Sequence, residues 1–274
     1  MSKLLLNVGS GAKIAKKSLP KIRIFVQNDL ENIDILNHQV EIANGDFNYL
    51  VKVMRKQVGD KICVFNGKDG EFIAEIANIS KKNLHVQIVE KIANIYNPPQ
   101  ITLAFALVKN VRIDFIASKA CELGVTCFIP IVTQRTIVDK INQQRFISNI
   151  KEAAEQCNRN DFPQVKETIK LEKFLKNAVK DKIIIVADES GNGYQAQDIF
   201  PKIKNIKNSE IILFIGPEGG FTSEEFKCFD NLKNCYKLNL GPRILRADTA
   251  IISSLTLIQE FLGDFNLKPK FYVD

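Results

Sequence analysis

Hydrophobic and polar positions alternate along the first third of the chain. KIRIFV (residues 21–26), KICVF (61–65), EFIAEIANI (71–79) and LHVQIVEKI (84–92) each predict a short strand, with Gly59-Asp60 and Lys68-Asp69-Gly70 as turns. This grouping predicts a compact β-barrel-like domain over residues 21–97. Residues 48–56 would place Lys52, Arg55 and Lys56 on one face if they are helical. Asn97-Pro98-Pro99 reads as a stiff linker, because proline restricts both itself and the residue before it.

From residue 100 the pattern changes to strands alternating with helices. ITLAFALV, CFIPIV, KIIIVADE and EIILFIG are apolar runs of strand length. Between them, Ile113, Ile116, Ala120 and Leu123 mark a helix closed by Gly124, and Phe146, Ile150, Ala153 and Cys157 mark another. Ile251, Leu255, Ile258 and Leu262 mark a last helix that stops at Gly263. Such alternation predicts an α/β fold: a parallel sheet with helices on both faces.

Two glycine-broken corners carry the chemistry. Ile211–Ile215 ends in Gly216-Pro217-Glu218-Gly219-Gly220, and Leu238-Asn239-Leu240 ends in Gly241-Pro242 followed by Arg243-Ile244-Leu245-Arg246. In open α/β sheets ligands bind beyond the carboxyl ends of the strands, where glycine lets a ligand lie on bare backbone. After the first corner, Thr222 and Glu225 have the spacing of a capping box, with Phe221 and Phe226 as its hydrophobic staple. A helix start normally attracts phosphate, but Glu218, Glu224 and Glu225 crowd this one with like charge. No complete phosphate-loop or dinucleotide motif occurs; Gly9-Ser10-Gly11 and Gly191-Asn192-Gly193 are fragments of one. The acidic loop suits an uncharged or cationic ligand.

These two segments, IGPEGGF and LNLGPRILRADTA, resemble the RsmE family of ribosomal RNA methyltransferases, in the SPOUT class. Ala106-Leu107-Val108-Lys109, Lys119–Val125, Arg135, Ala153-Ala154-Glu155-Gln156, Arg159 and Pro163 fit the same family, as do Arg23-Ile24-Phe25, Val53-Met54-Arg55 and Val58-Gly59-Asp60. The resemblance spans roughly residues 21–263. It implies a C-terminal trefoil knot in the parallel-sheet domain and a PUA-like N-terminal β-barrel. The corresponding divisions are an extension (1–20) expected to be poorly ordered, an RNA-binding β domain (21–97), the methyltransferase domain (98–265) and a tail (266–274).

The resemblance also implies S-adenosyl-L-methionine as cofactor and methylation of uridine N3 in small-subunit ribosomal RNA. The expected cofactor residues are Ile215, Gly216, Pro217, Glu218, Gly219, Gly220, Leu238, Leu240, Gly241, Ile244, Leu245, Thr249 and Ala250. The expected catalytic residues are Arg246, then Arg243, with Asp248 or Glu155 as a weak candidate base. Arg23, Arg55, Lys56, Arg112 and Arg159 are the expected RNA contacts. Family members are dimers, so a homodimer is implied. Asp248 departs from the family's usual Glu, shortening the carboxylate by about 1.5 Å. Methylation of a ribose 2′-hydroxyl or another base, and a non-catalytic ribosome-assembly role, stand as alternatives.

Composition narrows the partners. The net charge is +7, but residues 1–20 contribute four lysines without an acid and residues 21–97 balance to zero, so RNA binding must come from local clustering. Six cysteines lack C-x-x-C spacing and the only histidines, His38 and His85, lie far apart, which gives no support for a metal site. No apolar run approaches the ~20 residues of a membrane span, and a cytoplasmic setting with reduced thiols is expected.

Overall fold

The computed structural model describes residues 19–30, 39–107, 113–138, 140–177, 181–203 and 210–268. In its N-terminal part, strands β1 (Arg23–Phe25), β2 (Gln39–Ala43), β3 (Lys61–Phe65), β4 (Glu71–Ile79) and β5 (Asn83–Ala93) form one sheet in the order β1-β3-β4-β5-β2. β1 runs parallel to β3 and the other neighbours are antiparallel. Register shifts along β4 and β5 increase the local twist. The alternating residues Ile62, Val64, Phe72, Ala74, Ile76, Leu84 and Val86 meet in one buried cluster. β1 and β2 do not pair with each other among the described residues, so the expected barrel is a sheet with two unjoined ends. The apolar pattern does not single out β2, where only Val40 and Ile42 are buried.

The helix expected over residues 48–56 takes another form. A short helix α1 (Asn44–Asn48) passes into a π-helical turn, Tyr49–Val53, in which the Met54 N–H donates to the Tyr49 carbonyl at 2.9 Å. Arg55 then adopts φ of 52°. The one-face placement of Lys52, Arg55 and Lys56 presumed α-helical spacing, so it does not hold. Lys52 and Arg55 are exposed, and Lys56 pairs with Asp60 at 3.8 Å.

Residues 101–239 build the second sheet. Its strands are β6 (Ile101–Ala106), β7 (Cys127–Val132), β8 (Gln164–Val165), β9 (Ile169–Lys170), β10 (Ile183–Asp188), β11 (Ile211–Ile215) and β12 (Cys235–Asn239). All pair in parallel, in the order β12-β10-β11-β6-β7-β8, with β9 also on β7. The helices are α2 (Ile113–Glu122), α3 (Gln143–Gln156), α4 (Leu171–Asn177), α5 (Ala196–Ile203), α6 (Ser223–Asp230) and α7 (Ala247–Leu262).

Alternate residues of the central strands point to opposite faces, and each face has its own core. Leu103, Phe105, Ile185, Leu213 and Ile215 pack with residues of α2, α3, α5 and α7. Ala104, Ala106, Ile184, Val186, Ile212 and Phe214 pack with residues of α4 and α6. Both faces are thus covered by helices, as the unbroken apolar runs predict.

Two arginines expected at the RNA surface lie inside the protein instead. Arg23 pairs with Glu71 at 2.6 Å and donates to the carbonyls of Ala154, Glu155 and Arg159, each at 3.0 Å, with its guanidinium 4.6 Å from the Phe65 ring centre. It joins the first sheet to the end of α3. Arg159 binds Asp161 and donates to the carbonyls of Cys121 at 2.6 Å and Val125 at 3.0 Å. Both buried guanidiniums spend most of their N–H donors on protein acceptors, so neither is placed to meet RNA. Arg112, another arginine of that expectation, lies outside the described residues, as do residues 1–18.

Candidate active site at the carboxyl ends of β10, β11 and β12

β11 ends at Ile215 and the chain turns before α6. The Gly220 N–H donates to the Pro217 carbonyl at 2.8 Å, and Gly220 takes φ of 68°. The left-handed backbone favours glycine there, and a Cβ, 1.8 Å from the Glu189 Oε1, would also push that carboxylate aside. The capping box forms as its sequence signature predicts. The Thr222 hydroxyl accepts from the Glu225 N–H at 3.2 Å, and the Glu225 Oε2 accepts from the Thr222 N–H at 2.9 Å. The Phe221 and Phe226 rings meet edge to face at 5.8 Å. Glu225 Oε1 also accepts from the Gln134 N–H at 2.8 Å, and Arg135 donates to the Gly219 carbonyl. The segment after β7 therefore braces this corner from outside.

The second corner is held by Asn239, whose Oδ1 accepts from the Gly241 N–H at 2.7 Å while Gly241 takes φ of 98°. Pro242–Leu245 lead to Arg246, the N-cap residue of α7. Both corners and the end of β10 open onto one cavity of about 600 Å³, a size typical of small-molecule sites.

Of the residues expected to hold a cofactor, Ile215, Gly216, Pro217, Glu218, Gly220, Leu240, Gly241, Ile244, Leu245 and Ala250 line this cavity, and so do Arg243 and Arg246. Four do not. Gly219 lies against Arg135, whose Cδ is 3.2 Å from the position of a Cβ there. Leu238 is fully buried in the core, and Thr249 is exposed on the first turn of α7. The Asp248 carboxylate accepts from the Thr249 N–H at 2.7 Å, capping the helix start rather than facing the cavity. Glu155 accepts from the Phe25 N–H at 2.9 Å, at the junction with the first sheet. It does not line the cavity, so neither candidate base is at hand there.

The third wall was not anticipated. Ala187, Asp188, Glu189, Ser190, Gly191 and Gln195, which follow or end β10, line the cavity, together with Asn239, Pro242 and Ala247. Asp188 is 6% exposed, and its Oδ2 is buried without a hydrogen-bond partner among the described residues. Burial raises the pKa of Glu189, reinforced by the charge of Asp188 and opposed by backbone N–H groups that include that of Phe221. The acids that face the cavity are thus Glu218, Asp188 and Glu189, whereas Glu225 is tied into the helix cap. At the rim, Arg243 and Arg246 are exposed and their side chains make no hydrogen bond or ion pair among the described residues, and Ile244 between them is 91% exposed. One wall is acidic, the rim is cationic, and the floor is glycine backbone and aliphatic side chain.

Residues 96–259 match the RNA methyltransferase domain family and residues 42–89 match the RNA methyltransferase PUA domain. Ribosomal RNA small subunit methyltransferase E of Rickettsia conorii is 32% identical over 86% of this chain and 94% of its own length. The chain belongs to the ribosomal RNA small subunit methyltransferase E family. The Bacillus subtilis member is 28% identical over 82% of this chain and 94% of that protein. A Neisseria gonorrhoeae member of this methyltransferase E family, solved bound to S-adenosyl methionine, superposes with a TM-score of 0.75 at 26% identity, covering 89% of this chain and 99% of that one. A Legionella pneumophila methyltransferase, solved with the bound cofactor SAM, superposes with a TM-score of 0.76 at 29% identity and the same coverage.

Within this methyltransferase E chain, the exposed Lys52 and Arg55 fall in the PUA match and the cavity falls in the methyltransferase match. No described helix is long and apolar enough to cross a membrane. Among the described residues, no group of three or more His, Cys, Asp or Glu side chains gathers to hold a metal ion.

Proposed function

We propose that this chain methylates N3 of a uridine in small-subunit ribosomal RNA, with S-adenosyl-L-methionine as the methyl donor. The observation that carries the reading is the cavity itself, where an acidic wall and bare glycine backbone stand below a rim of two unpaired arginines. The fit to the cofactor rests on three features of this structure. The volume of about 600 Å³ suits a nucleoside-sized ligand. The unpartnered Asp188 Oδ2 can accept from the amine and hydroxyl donors such a ligand carries. The carboxylates of Asp188, Glu189 and Glu218 suit a cationic sulfonium.

When bound, S-adenosyl-L-methionine supplies a methyl carbon activated by its sulfonium. The chain's part is positioning and electrostatics. Ile215, Leu240, Leu245 and Ala250 exclude water, and the two corners fix the donor against backbone. Alignment of the attacking nitrogen with the methyl carbon can contribute several kcal/mol. Uridine N3 is a weak acid whose negative charge spreads over O2 and O4. Arg246, with Arg243 second, supplies positive charge toward those oxygens as it develops. The N3 proton is not taken by Asp248 or Glu155, which lie away from the cavity. Lys52 and Arg55 extend the RNA path over the first sheet.

The trefoil knot and the homodimer belong to the same proposal and rest on the family. The test is nucleoside analysis by mass spectrometry after incubation with labelled S-adenosyl-L-methionine and small subunits from a strain lacking this enzyme. Label in N3-methyluridine supports the proposal. Label in a 2′-O-methyl nucleoside or another base overturns the assignment of the target atom. Absence of label on any RNA overturns the enzymatic reading.

A further inference from the structure

Two adjacent acids end β10, and the structure gives them different roles. Glu189 is a strut: its carboxylate fills the space a side chain at position 220 would need. Asp188 is only half engaged. Its Oδ1 accepts from the Ser190 N–H at 2.9 Å, which turns the chain at the strand end. Its Oδ2 has no partner among the described residues, although the residue is buried to 6% exposure.

Three backbone donors of the neighbouring segments are committed elsewhere. The Tyr194 N–H donates to the Lys237 carbonyl at 2.8 Å, the Asn239 N–H to the Tyr194 carbonyl at 2.9 Å, and the Gly241 N–H to the Asn239 side chain at 2.7 Å. Gly193, whose Cβ position would be 3.2 Å from Asp188 Oδ2, carries no side chain to supply a donor. The other buried oxygen without a partner, Ser254 Oγ in α7, does not line the cavity, whereas Asp188 does. Buried carboxylate oxygens are normally paired, so an unpartnered one on a residue that lines the cavity marks a place for a ligand's donor.

We infer that Asp188 is a specificity-determining residue of this cavity, its Oδ2 accepting a hydrogen bond from an N–H or O–H of the bound ligand. The inference rests on the cavity being the S-adenosyl-L-methionine site proposed above. There the donor is an adenine amine, a ribose hydroxyl or the α-ammonium group. These share one chemistry, and analogues tell them apart. A ligand that presents only acceptors at this point would face an unpaired negative charge, so the residue selects as well as binds.

Asp188→Asn is the discriminating variant. It keeps an oxygen for the Ser190 N–H and replaces Oδ2 by an amino group, turning acceptor into donor with little change in volume. Calorimetric titration with S-adenosyl-L-methionine is expected to show affinity weakened about tenfold or more, while the melting temperature stays within about 2 °C of the wild type. Titration with deaminated-adenine, deoxyribose and desamino analogues follows. One of them should bind wild type and variant with equal affinity, which identifies the donor. If the Asn variant fails to fold, Asp188→Ser, which also retains an oxygen for the Ser190 N–H, serves the same comparison.

Binding by the variant within twofold of wild type would overturn the inference and leave Asp188 as a loop cap. Weakening that is equal for every analogue would overturn it too, because the loss would then come from loop geometry. Failure of the wild-type protein itself to bind S-adenosyl-L-methionine is a separate result, which removes the reading of the cavity and this inference with it.

Discussion

Arg246 holds the N-cap position of α7 with no side-chain capping bond, so its guanidinium is free for a ligand at the cavity rim. Arg246→Ala is expected to lower turnover by at least a hundredfold while affinity for S-adenosyl-L-methionine stays within a few-fold, read by single-turnover assay and calorimetry. Equal loss of both would assign Arg246 to cofactor binding or to structure. Glu155 illustrates a residue whose chemistry is unusual without being at the site. Burial chiefly, with a contribution from Asp46, raises its pKa from 4.5 to about 7, against the Phe25 N–H and Lys151, which lower it. Folding therefore favours the protonated form, so its penalty is absent below about pH 4.5, grows as pH rises toward 7 and is complete above that. Glu155→Gln keeps an acceptor for the Phe25 N–H and is expected to stabilise the protein by roughly 1–3 kcal/mol at pH 8, with the gain shrinking toward pH 5. Thermal melts at the two pH values check the sign.

At the scale of elements, the two corners were legible because their constraints are local. Thr222, Glu225, Phe221 and Phe226 make the contacts their spacing predicts. Thr222→Ala is expected to cost about 1 kcal/mol of stability, measured by denaturant unfolding. Gly220 combines a left-handed backbone with Glu189 at its back. Gly220→Val should therefore displace Glu189 and lower cofactor affinity by more than tenfold, whereas Gly219→Ala should meet only the flexible Arg135 side chain and leave affinity nearly unchanged. What the sequence did not show follows from the same logic. Asp188 and Glu189 look like the polar end of an apolar strand, and only the sheet order brings that end beside the other corners. The available signal was paired acids at the carboxyl end of a buried parallel strand. Helix α5 has no clear helical signature in the sequence because Pro201 lies inside it, although Ile199, Phe200 and Ile203 are its buried side. The π-turn at Tyr49–Val53 has no composition cue that separates it from an α-helix.

Over the whole molecule, the covered parallel sheet was readable from unbroken apolar runs, while the junction between the two sheets was not. Arg23 and Arg159 carry the charge expected of RNA contacts, and only tertiary placement shows their guanidiniums buried and engaged by carbonyls and carboxylates. Arg23→Ala would strand Glu71, which is buried beside it. It is expected to destabilise the protein by about 3–5 kcal/mol. The paired change Lys52→Ala with Arg55→Ala should leave stability within about 0.5 kcal/mol and instead weaken RNA binding and flatten its salt dependence. Chemical denaturation and RNA titrations at two salt concentrations separate these outcomes. The central claim is that the corners at 216–220 and 240–246, with the acidic end of β10, hold the methyl donor. A crystal structure of the protein grown with S-adenosyl-L-methionine tests it most directly. The expected result is ligand density in this cavity, with a donor group within hydrogen-bonding distance of Asp188 and the methyl group toward Arg246. Density at another place on the chain, or an empty cavity at saturating ligand, would contradict it.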